Sequence, residues 1–476
     1  MVEWWNEKRA EAPFFICQKT TGGERMEENR MGYEPIPKLL MSISLPIALS
    51  MLVQALYNIV DSIWVSRLGE KALAAVSMAF PMQMLLNAFS IGVGVGMNAL
   101  LSRHLGAKNQ REANLCAQHG ILLNIIVAVL FAVFGTMASP QLIGMQTADP
   151  EIIKAGVRYL NICFMFSVGL CGQICMERLL QSTGLAVYSM YTQLFGAVLN
   201  IILDPFFIFG WAIFPKLGVA GAAVATVTSQ IIAFLFGLYL NFKRNKEINL
   251  LQDHFHVNGD IIKGILAVGI PSAIMMSVNS LSIFMINAIL AAFGAAAVVA
   301  LGIYFKVQSF IFMPIFGMNN GLIPIIAYNY GAGHRDRIYE VMKLAYKVAL
   351  VVMSVGFIIF QLFPAQLMGF FDPSPELLSI GVVALRIISF SFIFAAVSII
   401  SSGIFQSFGN GLLSMIVNLV RQLIFIVPLA YLFSRTGVLT YVWLAYPIAE
   451  LIAMLIAITF MKKVNEKEIK LIAERD

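Results

Sequence analysis

Two aspartates stand in surroundings too apolar for an idle charge. In QALYNIVDSIWVSRLG, Gln54, Tyr57 or Asn58, and Asp61 recur at three- and four-residue spacing, which on a helix draws them into one polar stripe. In AVLNIILDPFFIFGW, Asn200 and Asp204 lie one helical turn apart and share a face. Pro205 follows, disfavouring helical backbone at Asp204 and freeing a carbonyl nearby. An ionisable side chain inside a membrane span costs about 2.5–3.5 kcal/mol on insertion scales, so it asks for a reason. Two carboxylates facing one cavity repel each other and are expensive to keep charged away from water. Such a pair can hold a proton or a small cation and release it when the cavity opens to the other side. That is the chemistry of ion coupling.

Other residues carry less. Lys306, Arg386, Arg421 and Glu450 complete the set of ionisable groups placed inside spans; Arg421 and Glu450 fall mid-span in neighbouring segments, where either a buried ion pair or a role in gating is expected. His254 and His256, one residue apart in a polar stretch, lack metal-ligand company. Cys17, Cys116, Cys163, Cys171 and Cys175 show no CxxC spacing and read as small buried apolar residues for the most part. No GxxxxGK[ST] is present, so the chain is not an ATP-driven pump by itself. Gly92, Gly94 and Gly96 sit in mid-span, where small residues let helices approach closely. Nothing resembles the metal or nucleophile constellation of an intramembrane enzyme, and no cofactor is expected.

These residues must be positioned by membrane helices. With 59% hydrophobic and 12% charged residues and a mean hydropathy of +0.82, the chain is too apolar for water-soluble cores. Twelve stretches approach the spanning length: 39–66, 73–101, 115–142, 153–177, 187–210, 218–242, 264–293, 298–327, 340–365, 378–405, 411–433 and 438–461. The chain also repeats itself. Residues 46–107 align without gaps on 271–332, with 14 of 62 positions identical, where composition alone gives roughly one match in twelve. Pro46 meets Pro271, Gly69 meets Gly294, and Gly92, Gly96 and Gly106 meet Gly317, Gly321 and Gly331. Six spans per half make the repeat parallel, with its pseudo-two-fold axis along the membrane normal.

The expected organisation is an all-α polytopic membrane protein of two six-helix lobes. Its parts are a disordered N-terminal tail (1–35), an N-lobe (36–242), a linker (243–262), a C-lobe (263–462) and a C-terminal tail (463–476). A cytoplasmic N-terminus places 23 of the 32 Lys and Arg inside and six outside, the positive-inside pattern. The net charge of +6 then reflects loops facing anionic lipid, with no call for nucleic acid. Residues 1–30 lack an apolar h-region and are expected to be a tail or an upstream extension of a chain beginning naturally at Met26 or Met31, not a signal peptide.

The strings LVQALYNIVDSIWVSRLG, GLAVYSMYTQLFGAVLNIILDPFFIFG and LGVAGAAVATVTSQ resemble the first, fifth and sixth spans of multidrug and toxic compound extrusion (MATE) transporters, in the bacterial and archaeal branch with an Asp in span one. The likeness runs from about residue 36 to 462. It implies an antiporter of the bacterial inner membrane with both termini cytoplasmic, working as a monomer among membrane lipids. Such a carrier exchanges amphipathic or cationic drugs for H⁺ or Na⁺ by alternating access. It further implies an N-lobe site of Asp61, Asn200, Asp204 and Thr226, with Gln54 and Tyr57 more loosely, and a possible Na⁺ at Asp61, Asn200 and Asp204. Pro46 resembles the proline at which span one bends. The pattern departs at span four, whose inner end offers Glu177 and Arg178 where an Asn is expected. A lipid-linked precursor flippase of the same superfamily is the alternative, and it calls for a basic central cavity.

The repeat fails where the chemistry lies. Asp61, Asn200 and Asp204 face Ile286, Phe425 and Leu429 at the offset positions, so only one half carries the carboxylates.

Overall fold

A computed structural model describes residues 29–211, 214–251 and 255–472. His254, Cys17 and most of the expected N-terminal tail lie outside them. Ten helices are long and apolar enough to cross a membrane, and two bent pairs bring the number to twelve. They are α1 (Ile36–Ser66), α2 (Glu70–Gly106), α3 (Gln110–Gly144), α4 (Pro150–Met165 with Val168–Ser182), α5 (Ala186–Phe209), α6 (Val219–Arg244), α7 (Gly259–Ala291), α8 (Ala295–Ala332), α9 (Arg335–Leu362), α10 (Pro375–Ser389 with Ser391–Ser407), α11 (Gly411–Ser434) and α12 (Leu439–Ile469). The end of the bundle bearing the basic loops, at Ala107, Arg244 and Ala332, is called the inner end.

Each span predicted from apolar length corresponds to one of these helices, and two corrections are physical. The fourth and tenth spans are broken, by 47° and 48°, at repeat-related places. Neither break contains a proline or glycine: Phe166-Ser167 and Phe390 carry them, so apolar length passes smoothly across. Pro205 does not end the helix at Asp204. α5 continues through it to Phe209 and stops at Gly210, whose φ of 75° supplies the left-handed cap. Within a packed bundle a proline costs one backbone bond, which neighbours absorb. α1 likewise runs unbroken through Pro46, where Ser50 Oγ donates to the Pro46 carbonyl at 2.9 Å.

The repeat is visible in backbone conformation as well as in sequence. Gly69 and Gly294 open α2 and α8 with φ of 111° and 106°, and Gly184 and Gly409 turn into α5 and α11 with φ of 82° and 78°. These are values that side-chain-bearing residues rarely adopt.

The two halves meet through α1 and α2 on one side and α7 and α8 on the other. Their closest approaches use the glycines identical in the repeat. A Cβ on Gly92 would meet the Gly269 carbonyl oxygen at 2.5 Å, and one on Gly96 would collide with that of Ile265. Gly317 and Gly321 are pressed against Ala48 and Ser44; Gly106 and Gly331 abut Tyr328 and Arg103. All these contacts fall in the inner halves of their helices, and the buried residues of α1 run from Ile36 to Ser50 with only Val65 beyond.

The inner end is also strapped from below by residues 29–34. Asn29 Nδ2 donates to the Thr183 carbonyl at 3.1 Å and Arg30 to that of Gly184, both in the N-lobe. From the C-lobe, Arg337 Nη2 donates to the carbonyls of Met31 (3.1 Å) and Glu34 (2.8 Å), and Asn329 Nδ2 to Met31 (3.0 Å). At the other terminus Tyr330 Oη donates to Glu468 at 2.7 Å, tying the end of α12 to α8.

Backbone contact at Gly96 leaves no room for a methyl, whereas a Cβ on Gly144 would meet nothing within 4 Å. Gly96→Ala should therefore destabilise the purified protein by about 1–3 kcal/mol, read as a lower thermal midpoint. Gly144→Ala should be neutral or slightly stabilising.

Candidate functional site

Between the lobes lies a cavity of about 430 Å³ with walls from both halves. Gln54 and Tyr57 of α1, Asn200 of α5 and Thr226 of α6 line its N-lobe side, and Asn319 and Asn320 of α8 and Arg421 of α11 its C-lobe side. Asp61 and Asp204 stand behind that wall.

α5 and α6 pack tightly because small residues recur along α6, including Gly221, Ala222, Ala223 and Ala225, all buried. This close packing brings Asn200 Nδ2 to 3.3 Å from Thr226 Oγ1 and 3.5 Å from Asp204 Oδ1. Asp204 is 0% exposed and Asn200 1%. α1 packs on α5 and carries Asp61 to the same place, where the two aspartates feel one another's charge. Three acceptor oxygens here are buried without a hydrogen-bond partner: Asp61 Oδ1, Asn200 Oδ1 and Asp204 Oδ2. Orphaned buried acceptors are costly, and a cluster of them is a donor set for a proton or a hard cation. Among the described residues no group of three or more His, Cys, Asp or Glu gathers as a metal site, so any cation here relies on amide and hydroxyl oxygens beside the two carboxylates.

The C-lobe answers with an ion pair instead. Arg421 Nη1 lies 2.9 Å from Glu450 Oε1, and Glu450 is 6% exposed. Arg421 sits in a π-helical stretch, Val420–Ile426, whose wider turn alters which side chains face the cavity. Lys306 and Arg386 are both exposed, away from the cavity wall.

Among the cavity residues that the sequence reading does not name as site residues are Gln173, Glu177 and Arg178 of α4, and Asn319 and Asn320 of α8. Glu177 accepts from Gln173 Nε2 at 2.9 Å. Arg178 Nη1 donates to Gln181 Oε1 at 3.1 Å and, across the lobes, to Asn320 Oδ1 at 3.0 Å. Their signal was an adjacent Glu and Arg, discounted because apolar length ended span four at residue 177. α4 extends to Ser182, and both residues line the cavity.

The duplicated halves find their counterpart in a known family. A family description, MatE, matches residues 46–206 and 271–432, once for each repeat. The chain belongs to the MatE family. It is a transporter, not an enzyme, and a multi-pass membrane protein. Similar proteins include the "FAD transporter" of Shewanella oneidensis, 27% identical over 421 residues that make up 88% of this chain and 92% of that one. Another is the "Multidrug export protein MepA" of Staphylococcus saprophyticus, 26% identical over 88% of this chain and 93% of that one. A third is the "Probable multidrug resistance protein YoeA" of Bacillus subtilis, 27% identical over 91% of this chain and 95% of that one. Among solved structures, an outward-facing multidrug resistance MATE transporter of the MOP superfamily superposes with a TM-score of 0.87 at 26% identity, covering 94% of this chain and all of that one. A MOP superfamily transporter from Pyrococcus furiosus, described as having a binding pocket of reversed polarity, superposes with a TM-score of 0.86 at 26% identity and the same coverage.

Removing the carboxylate of the C-lobe pair leaves a guanidinium half-stranded. Glu450→Gln should cost about 2 kcal/mol, seen as a lower thermal midpoint of the purified MatE protein. The double variant with Arg421→Gln should recover part of the loss.

Proposed function

We propose that this MatE protein is a cation-coupled antiporter, exporting amphipathic organic cations in exchange for H⁺ or Na⁺ by alternating access of its central cavity. The observation that carries the reading is the cluster of unpartnered acceptors at Asp61, Asn200 and Asp204, set directly behind a cavity between two lobes. A bound proton or sodium ion supplies the positive charge this cluster needs. Asp61, Asn200 and Asp204 would hold it, with Thr226 orienting the Asn200 amide and Gln54 and Tyr57 forming the wall toward the cargo. Pro46 and Pro205, each interrupting one backbone bond in a helix of the site, are the places where α1 and α5 would yield as occupancy changes.

The driving force is sufficient. Expelling a monovalent drug against a hundredfold gradient costs about 2.7 kcal/mol, and one cation entering down 100 mV supplies about 2.3 kcal/mol before its own gradient is counted. A flippase for a lipid-linked precursor, or a carrier of an anionic dinucleotide like the cargo named for the Shewanella relative, asks for free cations in the cavity. Of the two basic residues of its wall, Arg421 is paired with Glu450, and Arg178, held by the neutral amides of Gln181 and Asn320, stands beside Glu177, so these four leave no net positive charge. That favours the efflux of cations. We place the protein as a monomer in the bacterial inner membrane with cytoplasmic termini, in keeping with its basic inner loops.

Asp61→Asn and Asp204→Asn should each abolish gradient-driven ethidium efflux in everted vesicles while leaving the amount of protein in the membrane unchanged. Full efflux by both variants would sink the proposal.

A further inference from the structure

We infer that Glu177 is the residue that reads the positive charge of the cargo, a role separate from that of the two aspartates. The inference rests on the efflux reading above and names where in the cavity that cargo is recognised.

Asp61 and Asp204 do not line the cavity, so a drug lying in it does not touch them. The charged side chains that do line it are Glu177, Arg178 and Arg421. Arg421 is paired with Glu450 at 2.9 Å. Arg178 follows Glu177 in sequence but reaches for the other lobe, its guanidinium held by Gln181 and Asn320. Glu177 has no opposite charge in contact: its carboxylate takes one hydrogen bond from the neutral amide of Gln173, no salt bridge reaches it among the described residues, and Arg178, bonded elsewhere, acts on it only through space. It is 8% exposed.

A carboxylate so deeply buried with only an amide in hydrogen-bond contact is expensive, and the cost is relieved by a cation that enters the cavity. The surrounding wall is suited to what such a cation would carry. Tyr57, Phe316, Met51, Met275 and Met276 offer ring faces and soft thioethers, which accommodate flat aromatic cations of varied shape.

The position also explains exchange. Glu177 and Asn200 line the same cavity, and Asn200 reaches back to Asp204, so a cargo charge at Glu177 and an ion at the aspartates share one small region of the N-lobe. Each cation weakens the other's binding, and by linkage the weakening is mutual. The offset position in the C-lobe is Ser402, so the carrier has one such anchor.

The test is equilibrium binding to the purified full-length protein in detergent, with no gradient, using tetraphenylphosphonium as the cation and triphenylphosphine oxide as a neutral probe of similar shape. The unaltered protein should prefer the cation. Glu177→Gln should weaken tetraphenylphosphonium binding about tenfold or more, equivalent to at least about 1.4 kcal/mol, with the neutral probe little changed. Glu177→Asp should retain most of the preference. Equal binding of the two probes by the unaltered protein would overturn the proposal. So would a Glu177→Gln variant that still prefers the cation, or one that loses both probes at an unchanged thermal midpoint. If that variant is unstable, Glu177→Asp decides: loss of the preference there counts against the proposal. Because no ion gradient enters the assay, a failure of ion coupling would show in the efflux experiment and not here.

Discussion

The structure depends on backbones touching. At the inner end, α2 meets α7 and α8 meets α1 at glycines so close that a single methyl would strike a carbonyl or side chain of the opposite lobe. Lipid tails are as apolar as leucine, so helices in a membrane gain little from burying apolar surface and associate through close packing instead. Gly92, Gly96 and Gly106 face one way across the pseudo-two-fold axis, and Gly317, Gly321 and Gly331 face the other. The lobes are thereby joined on one side by contacts without side-chain interlock, an interface that can part as a unit. The strap at residues 29–34, bonded to both lobes, belongs to the same closed inner end.

Against that symmetric frame the chemistry is asymmetric. The N-lobe holds the orphaned acceptors and Glu177; the C-lobe places Ile286, Phe425, Leu429 and Ser402 at the matching positions and neutralises its own buried charge in the Arg421–Glu450 pair. A size exchange accompanies the charge exchange. Gly94 of α2 is covered by the stem of Arg178, whereas its repeat partner Asn319 lies against Gly403, the repeat partner of Arg178. In each lobe one large and one small residue fill the same space, with the large one on opposite helices. The duplication preserved volume while letting one lobe acquire ionisable groups.

Much of this was legible in sequence because membrane helices advertise themselves by length and apolarity, and because the repeat marked positions that need a glycine. The carboxylate pair was legible too, since an aspartate among isoleucines and phenylalanines has few structural excuses. The breaks in α4 and α10 were not, as Phe166-Ser167 and Phe390 carry no breaker. Nor was the helical backbone at Asp204, because local proline rules assume a helix without neighbours, although the expected span 187–210 already runs past Pro205. Glu177 and Arg178 went unseen as site residues for a related reason: apolar length stops at the first charge, while the helix and its cavity run on.

The central claim is that occupancy of the N-lobe carboxylates governs the separation of the inner ends. Its most direct test is the distance between spin labels at Lys108 of the N-lobe and Lys343 of the C-lobe, both exposed, in reconstituted protein. Adding Na⁺ or lowering the pH should redistribute that distance in the unaltered protein and leave it unmoved in Asp61→Asn. A distribution that shifts equally in both, or in neither, would contradict the account.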